Sequence, residues 1–316
     1  MSHATDGVPV ERLLQDSRPS HLGLRVVAGA SGLRRVITNP RLQKPGLALA
    51  GFLASVKPGR VQVLGSGEAD FLATLESELC RQRVRELVEL EPPLIAVSKE
   101  MDGVAARFAE DCERCGVPLT VSTATTSLLI ERLGNLLELL LAPRQTLHGD
   151  LLDVFAIGVL LLGESGSGKS ECALELVYRG HRLVADDVVE VFRLRNDELF
   201  GQAPEAVRGL MEVRGLGLIS IEQLFGVVAV RDTKPIDLVI NLVPGQNGHL
   251  ERLGLGESTE EILGIRRPSL TFPVAPGRSL SLMVESAARK YLLYQRGLPD
   301  HARDYLQRHD QDLERR

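Results

Sequence analysis

With 316 residues, 37 Lys and Arg against 42 Asp and Glu, and a formal charge of −5, the chain is long enough for two domains and lacks the basic excess that would cover a nucleic-acid backbone. Tryptophan is absent and aromatic residues make up 4%, which argues against base-stacking platforms and leaves Leu, Val and Ile to build the core. The opening MSHATDGVPVERLL has no basic stretch followed by an apolar run, and the most apolar run, 156–163, is strand length rather than bilayer length, so the reading is a soluble cytoplasmic protein that needs neither membrane nor nucleic acid.

Short apolar runs at 24–29 and 60–65 predict strands, and the pattern over 71–90 predicts one long helix. After Pro92 and Pro93 come a strand-like run at 94–98, a helix around 102–115, a strand-like run at 118–122 and a helix over 127–141 that Pro143 ends. This alternation predicts an N-terminal α/β domain over 1–142. Cys112 and Cys115 have a metal-like spacing, but no second Cys/His pair lies nearby, and all four cysteines read as reduced thiols.

A linker is expected near 143–148, followed by a second domain over 143–316 with a mainly β core flanked by helices. It opens with 151–163, two strand segments hinged near Ala156–Gly158, then a glycine-rich turn and a helix over 170–180. Further strands are expected at 182–185, 188–194, 236–243 and 279–284, with a polar helix from about Glu285.

The chemistry begins in the glycine-rich turn. Gly163, Glu164, Ser165, Gly166, Ser167, Gly168, Lys169 and Ser170 match G-x-x-x-x-G-K-[ST] at every fixed position. In such a loop successive backbone N–H groups converge on phosphate oxygens, the lysine reaches the β- and γ-phosphates, and the Ser170 hydroxyl is offered to Mg²⁺. The apolar run before it and the helix after it supply the strand–loop–helix context, so ATP is the expected cofactor.

A phosphate loop names the nucleotide, not the reaction. Asp186 and Asp187 follow a strand directly, at the end where parallel α/β sheets bind ligands. One carboxylate of such a pair can serve a metal while the other accepts a hydroxyl proton, and spacing alone leaves the two roles open beside the plain alternative of a solvated turn. Glu212 and Arg214, two residues apart before Gly215 and Gly217, share a face if they lie on one strand and read equally well as a surface ion pair. His148, beside Gly149, is more often structural than catalytic in such a place.

Taken together, HGDLLDVFAIGVLLLGESGSGKSECALELVYRGHRLVADDVVE (148–190), MEVRGLGLIS (211–220), ERLGL (251–255) and FPVAPGR (272–278) resemble the HPr kinase/phosphorylases, with looser likeness at 44–52, 59–65 and 92–98. The resemblance implies a bifunctional enzyme that regulates carbon metabolism. Such an enzyme phosphorylates a serine of the phosphocarrier HPr with ATP, or with pyrophosphate in related members, and removes the phosphate by phosphorolysis with inorganic phosphate. It implies a homo-hexamer, with Asp187 exchanging the serine proton and Ser170 and Glu212 as Mg²⁺ ligands. It also casts Lys169 and Arg252 as charge stabilisers and His148 as a supporting catalytic residue. The segment Pro273, Val274, Ala275, Pro276, Gly277 and Arg278 would serve phosphorolysis, and Ala275 stands where the family usually has a basic residue, so a weakened reverse reaction is expected. Two other readings fit a phosphate loop: a kinase of a small metabolite, and a nucleotide-gated regulatory module without turnover.

Overall fold

A computed structural model describes residues 7–15, 22–99, 101–194, 196–244, 258–275 and 277–298. The chain divides into two units, one ending at Ala142 and the other beginning at Pro143. In the first, Gln62–Leu64, Ile95–Val97 and Leu119–Val121 lie side by side and parallel, with Arg25–Ala28 antiparallel at the edge. Each of the three parallel strands is buried throughout, which is why they read as unbroken apolar runs rather than alternating ones. The helix expected over 71–90 is two helices, Ser66–Thr74 and Ser77–Glu89, because Leu75 and Glu76 take up extended ψ angles and break the turn between them. Helix Asp102–Cys115 stops at Gly116, which takes the left-handed φ of 58°. The four cysteines are free, and burial, its largest cause, pushes the Cys112 thiol up to about 12, so it stays protonated.

The second unit is built on a six-stranded sheet in the order Arg182–Ala185, Asp150–Val154, Ile157–Gly163, Leu238–Pro244, Ile265–Val274, Thr259–Ile262. Ile157–Gly163, Leu238–Pro244 and Ile265–Val274 run parallel, so their C-terminal ends share one edge of the sheet. Phe155 and Ala156, both at positive φ, close the tight turn between Asp150–Val154 and Ile157–Gly163. One face packs against helices Lys169–Tyr178 and Leu280–Gln295 through Leu152, Val159, Leu161, Leu176, Ile240 and Val284. On the other face Leu151, Leu160 and Val239 meet Val189, Val191 and Leu199 of a second, four-stranded antiparallel sheet.

Two expectations fail in this unit. The stretch around 144–148 is no linker: Arg144–His148 is the edge strand of the second sheet, paired residue by residue with Val188–Phe192. The run 279–284, expected as a strand, opens the last helix. Ser279 caps it by accepting the Leu282 N–H at 3.3 Å, and the buried positions Ser281, Val284, Glu285, Ala288 and Tyr291 recur with helical spacing. Among the described residues no helix is long and apolar enough to cross a membrane.

Candidate active site

The strand Ile157–Gly163 delivers the glycine-rich loop to the sheet edge with Gly163 paired to Leu242. A Cβ on Gly163 would stand 2.8 Å from both the Leu242 carbonyl oxygen and Ser167 Oγ, so only glycine fits. Gly166 and Gly168 take φ of 79° and 85°, the left-handed geometry that folds the loop back before helix Lys169–Tyr178 starts. Lys169 is buried, and its Nζ donates to the carbonyls of Gly163 at 3.0 Å and Glu164 at 3.1 Å, which holds the ammonium over the loop. Ser167 Oγ is buried and has no hydrogen-bond partner among the described residues.

Beside the loop, strand Arg182–Ala185 pairs with Asp150–Val154 and ends in the two aspartates. They have different surroundings. Asp186 is buried: its Oδ2 accepts the Glu212 N–H at 2.9 Å, the Ser170 side chain lies close enough to favour its charged form, and among the described residues its Oδ1 has no partner. Asp187 is exposed, at the left-handed φ of 60°. Its carbonyl accepts the Gly149 N–H at 3.0 Å, and its own N–H donates to Asp150 Oδ1 at 3.0 Å. Burial raises the Asp186 carboxyl above the ordinary range, against the hydrogen bonds that favour its charged form.

Asp150 was not singled out in the sequence. It is fully buried, its second oxygen has no partner among the described residues, and burial first, then the Asp186 charge, raises it to about 7. The available signal was a carboxylate directly before an apolar strand and directly after a glycine. His148 ends its strand opposite Val188, next to Asp187, and is exposed.

Glu212 lies on the hairpin of Leu210–Val213 and Gly217–Ser220, exposed, its backbone tied to Asp186. Arg214 falls in the turn of that hairpin and not on its strand, so it does not share a strand face with Glu212. Ile265–Val274 brings Pro273 and Val274 level with Val243 and Pro244, one strand beyond Leu242 and Gly163. The chain then turns back through Gly277 (φ 83°), with the Arg278 N–H on the Ala275 carbonyl at 3.3 Å, and reaches Leu280, whose Cδ1 lies 3.6 Å from where a Gly168 Cβ would be. Arg252 and Pro276 lie outside the described residues.

The oxygens grouped here, the Ser170 hydroxyl, the Glu212 carboxylate and the buried Asp186 carboxylate with its open Oδ1, are hard donors. Among the described residues no cluster of three or more His, Cys, Asp or Glu side chains forms a closed metal cage. Few protein oxygens beside a phosphate loop fit Mg²⁺, which keeps waters and takes substrate phosphates as ligands.

The family model for the HPr Serine kinase C-terminal domain matches residues 140–309, and that for the HPr Serine kinase N terminus matches residues 8–137. The chain belongs to the HPr serine kinase family. It is 42% identical to the HPr kinase/phosphorylase of an Exiguobacterium species over 276 residues, 87% of this chain and 88% of that one. It is 46% identical to the HPr kinase/phosphorylase of Geobacillus thermodenitrificans, over 87% of this chain and 89% of the relative. Among solved structures it is similar to the Hpr(Ser) kinase/phosphatase from Coxiella burnetii, with 39% identity, a TM-score of 0.46, and 48% of this chain and 93% of that one covered. Both family models fall on chain segments that carry their own sheet, and the HPr serine kinase C-terminal match spans the glycine-rich loop, the aspartate pair and the hairpin.

Proposed function

We infer that the protein is an HPr kinase/phosphorylase, a protein-serine kinase that transfers the γ-phosphoryl group of ATP to a serine of HPr and removes it again with inorganic phosphate. The observation that carries this reading is the meeting, at the same end of the two strands that flank Asp150–Val154, of a phosphate loop with its lysine and an exposed aspartate held by the Gly149 N–H and the Asp150 side chain. In the forward direction the serine oxygen attacks the γ-phosphorus, its proton passes to the Asp187 carboxylate, and ADP leaves. In reverse a phosphate oxygen attacks the phosphoserine phosphorus, Asp187 returns the proton to the departing serine oxygen, and pyrophosphate is released. One site serves both because serine and phosphate are both in-line nucleophiles at the same centre.

Lys169 balances charge on the transferring group, with Arg252 assigned the same task, and His148 stands beside Asp187 as a supporting group. Ser170 and Glu212 would hold Mg²⁺, which when bound neutralises charge on the phosphate oxygens. The loop residues 163–170 bind the nucleotide, and pyrophosphate is a second donor that the same loop could hold. Residues 273–278 would form the phosphate-side wall used in phosphorolysis. We assign catalysis to 143–316 and a regulatory or interaction role to 1–142, in a cytoplasmic homo-hexamer. Leu216, Leu218, Leu224, Val227 and Val228, 63–72% exposed, are apolar surface of the kind that assembly covers. Incubation with purified HPr, ATP and Mg²⁺, followed by mass spectrometry, should show one phosphoryl group on an HPr serine that is lost when phosphate is added. Unmodified HPr, with transfer to a small hydroxyl compound instead, would overturn the reading.

A further inference from the structure

Asp187 is a non-glycine residue at a left-handed φ of 60°, and the chain holds it there from both sides. Its carbonyl is fixed by the Gly149 N–H, 3.0 Å away. Its N–H is fixed by a side chain, Asp150 Oδ1, also at 3.0 Å. Gly149 cannot be replaced by a larger residue without collision, since a Cβ there would stand 2.5 Å from the Leu161 carbonyl oxygen, so the 149–150 peptide is anchored to the strand that delivers the phosphate loop. The bond between Asp150 and Asp187 therefore ties the exposed carboxylate to the strand carrying Gly163.

Asp150 is an expensive residue for this place. Strand Asp150–Val154 is buried along its whole length, Asp150 shares a face with Leu152 and Val154 beneath helix Lys169–Tyr178, and Oδ2 has no partner among the described residues. An apolar side chain would pack there at lower cost. A buried carboxyl whose one side-chain hydrogen bond among the described residues goes to the backbone of the proposed proton acceptor is explained by the site, not by folding.

We propose that Asp150 is a positioning residue for phosphoryl transfer: by holding the Asp187 backbone in its left-handed turn, it sets where the Asp187 carboxylate meets the acceptor hydroxyl. This deepens the kinase reading above and rests on it. The groups that Asp150 senses are Asp186 and Asp187 at the end of one strand and Lys169 on the loop helix, where its charge also reaches the Cys172 thiol. Because its own carboxyl is raised to about 7, it changes charge near neutral pH, neutral below and anionic above.

The test compares wild type, Asp150→Val and Asp150→Asn in transfer to HPr. Displacing a reacting group by a fraction of a bond length commonly costs one to two orders of magnitude, so Asp150→Val should lower kcat by roughly 10- to 100-fold. Its affinity for ATP with Mg²⁺ should stay at the wild-type value, and its melting temperature should be equal to or above wild type. Asp150→Asn, whose amide oxygen accepts the same N–H, should recover most of kcat but lose an inflection in the kcat–pH curve near the ionisation at about 7. A wild-type kcat for Asp150→Val on both sides of that pH overturns the role, as does a loss matched by weaker nucleotide binding or a lower melting temperature. If the wild-type chain itself transfers nothing to HPr, the kinase reading and this role fall together, whereas wild-type transfer with unaffected variants removes only the role.

Discussion

Each unit has a turn in which a buried strand hands over to a helix beside a carboxylate, and the two turns treat that carboxylate in opposite ways. In the N-terminal unit Glu68 is buried at the start of helix Ser66–Thr74, where its Oε2 accepts the Gly65 N–H at 3.1 Å and pairs with Lys44 at 3.2 Å. Its charge is absorbed by the helix start and a lysine. At the corresponding edge of the C-terminal unit Asp150 and Asp186 are buried with an oxygen each left open, and Asp187 is held out in solvent. A satisfied buried carboxylate stabilises a fold, whereas several open ones beside a phosphate loop are tolerated where a ligand or a reaction uses them.

If this contrast is functional, damage at the second turn should remove activity and damage at the first should remove only stability. The largest effect is expected for Lys169→Ala, which deletes the ammonium held over Gly163 and Glu164 and should abolish kinase and phosphorolysis alike. Near wild-type turnover would sink the loop assignment. Asp187→Asn should keep ATP affinity and lower kcat by about 10²- to 10⁴-fold, since the amide keeps the shape but accepts no proton. A greater loss of kcat in Asp186→Asn would exchange the two roles, against the burial that separates them.

Ala275→Arg probes the wall beside the loop. A cation near a phosphate is worth about 1–3 kcal/mol, so phosphate use in phosphorolysis should rise roughly 5- to 150-fold with the forward rate unchanged. Equal phosphorolysis in both proteins would show that Arg278 and Lys169 already suffice.

Two structural carboxylates complete the series. Glu285 accepts from Arg179 at 2.6 and 3.0 Å and meets His181 Nε2 at 2.9 Å, joining the end of the loop helix to the last helix. The Arg179 hydrogen bonds, more than any other cause, hold its carboxyl down at about 2. A depressed carboxylate contributes stability above its ordinary value near 4.5 and loses it as pH falls towards about 2. Glu285→Gln should therefore cost roughly 1–3 kcal/mol at neutral pH, read as a lower melting temperature. Its gap to wild type should close in acid over that window. Glu68→Ala should cost about 1 kcal/mol through the lost helix-start bond, with no change in transfer to HPr. A selective loss of activity there would break the comparison.

The sequence by itself determined the family, the α/β class and the phosphate loop, because each is written in contiguous residues: apolar runs of strand length, and eight residues that match one motif. It misread 279–284 as a strand because a short stretch of alternating and then apolar residues also fits the first turns of a helix whose capping bond and buried face appear only in three dimensions. Spacing left Asp186 and Asp187 equivalent, and only the family resemblance cast Asp187 as the proton acceptor, because neighbours in sequence carry no mark of burial. The tertiary structure gives them different surroundings, by pairing one with the backbone of Glu212 and the other with a side chain 37 positions away in the chain. Asp150 lay hidden for the same reason: a single carboxylate beside an apolar run gains a role only when antiparallel pairing of Arg182–Ala185 with Asp150–Val154 brings the turn at Asp187 over it.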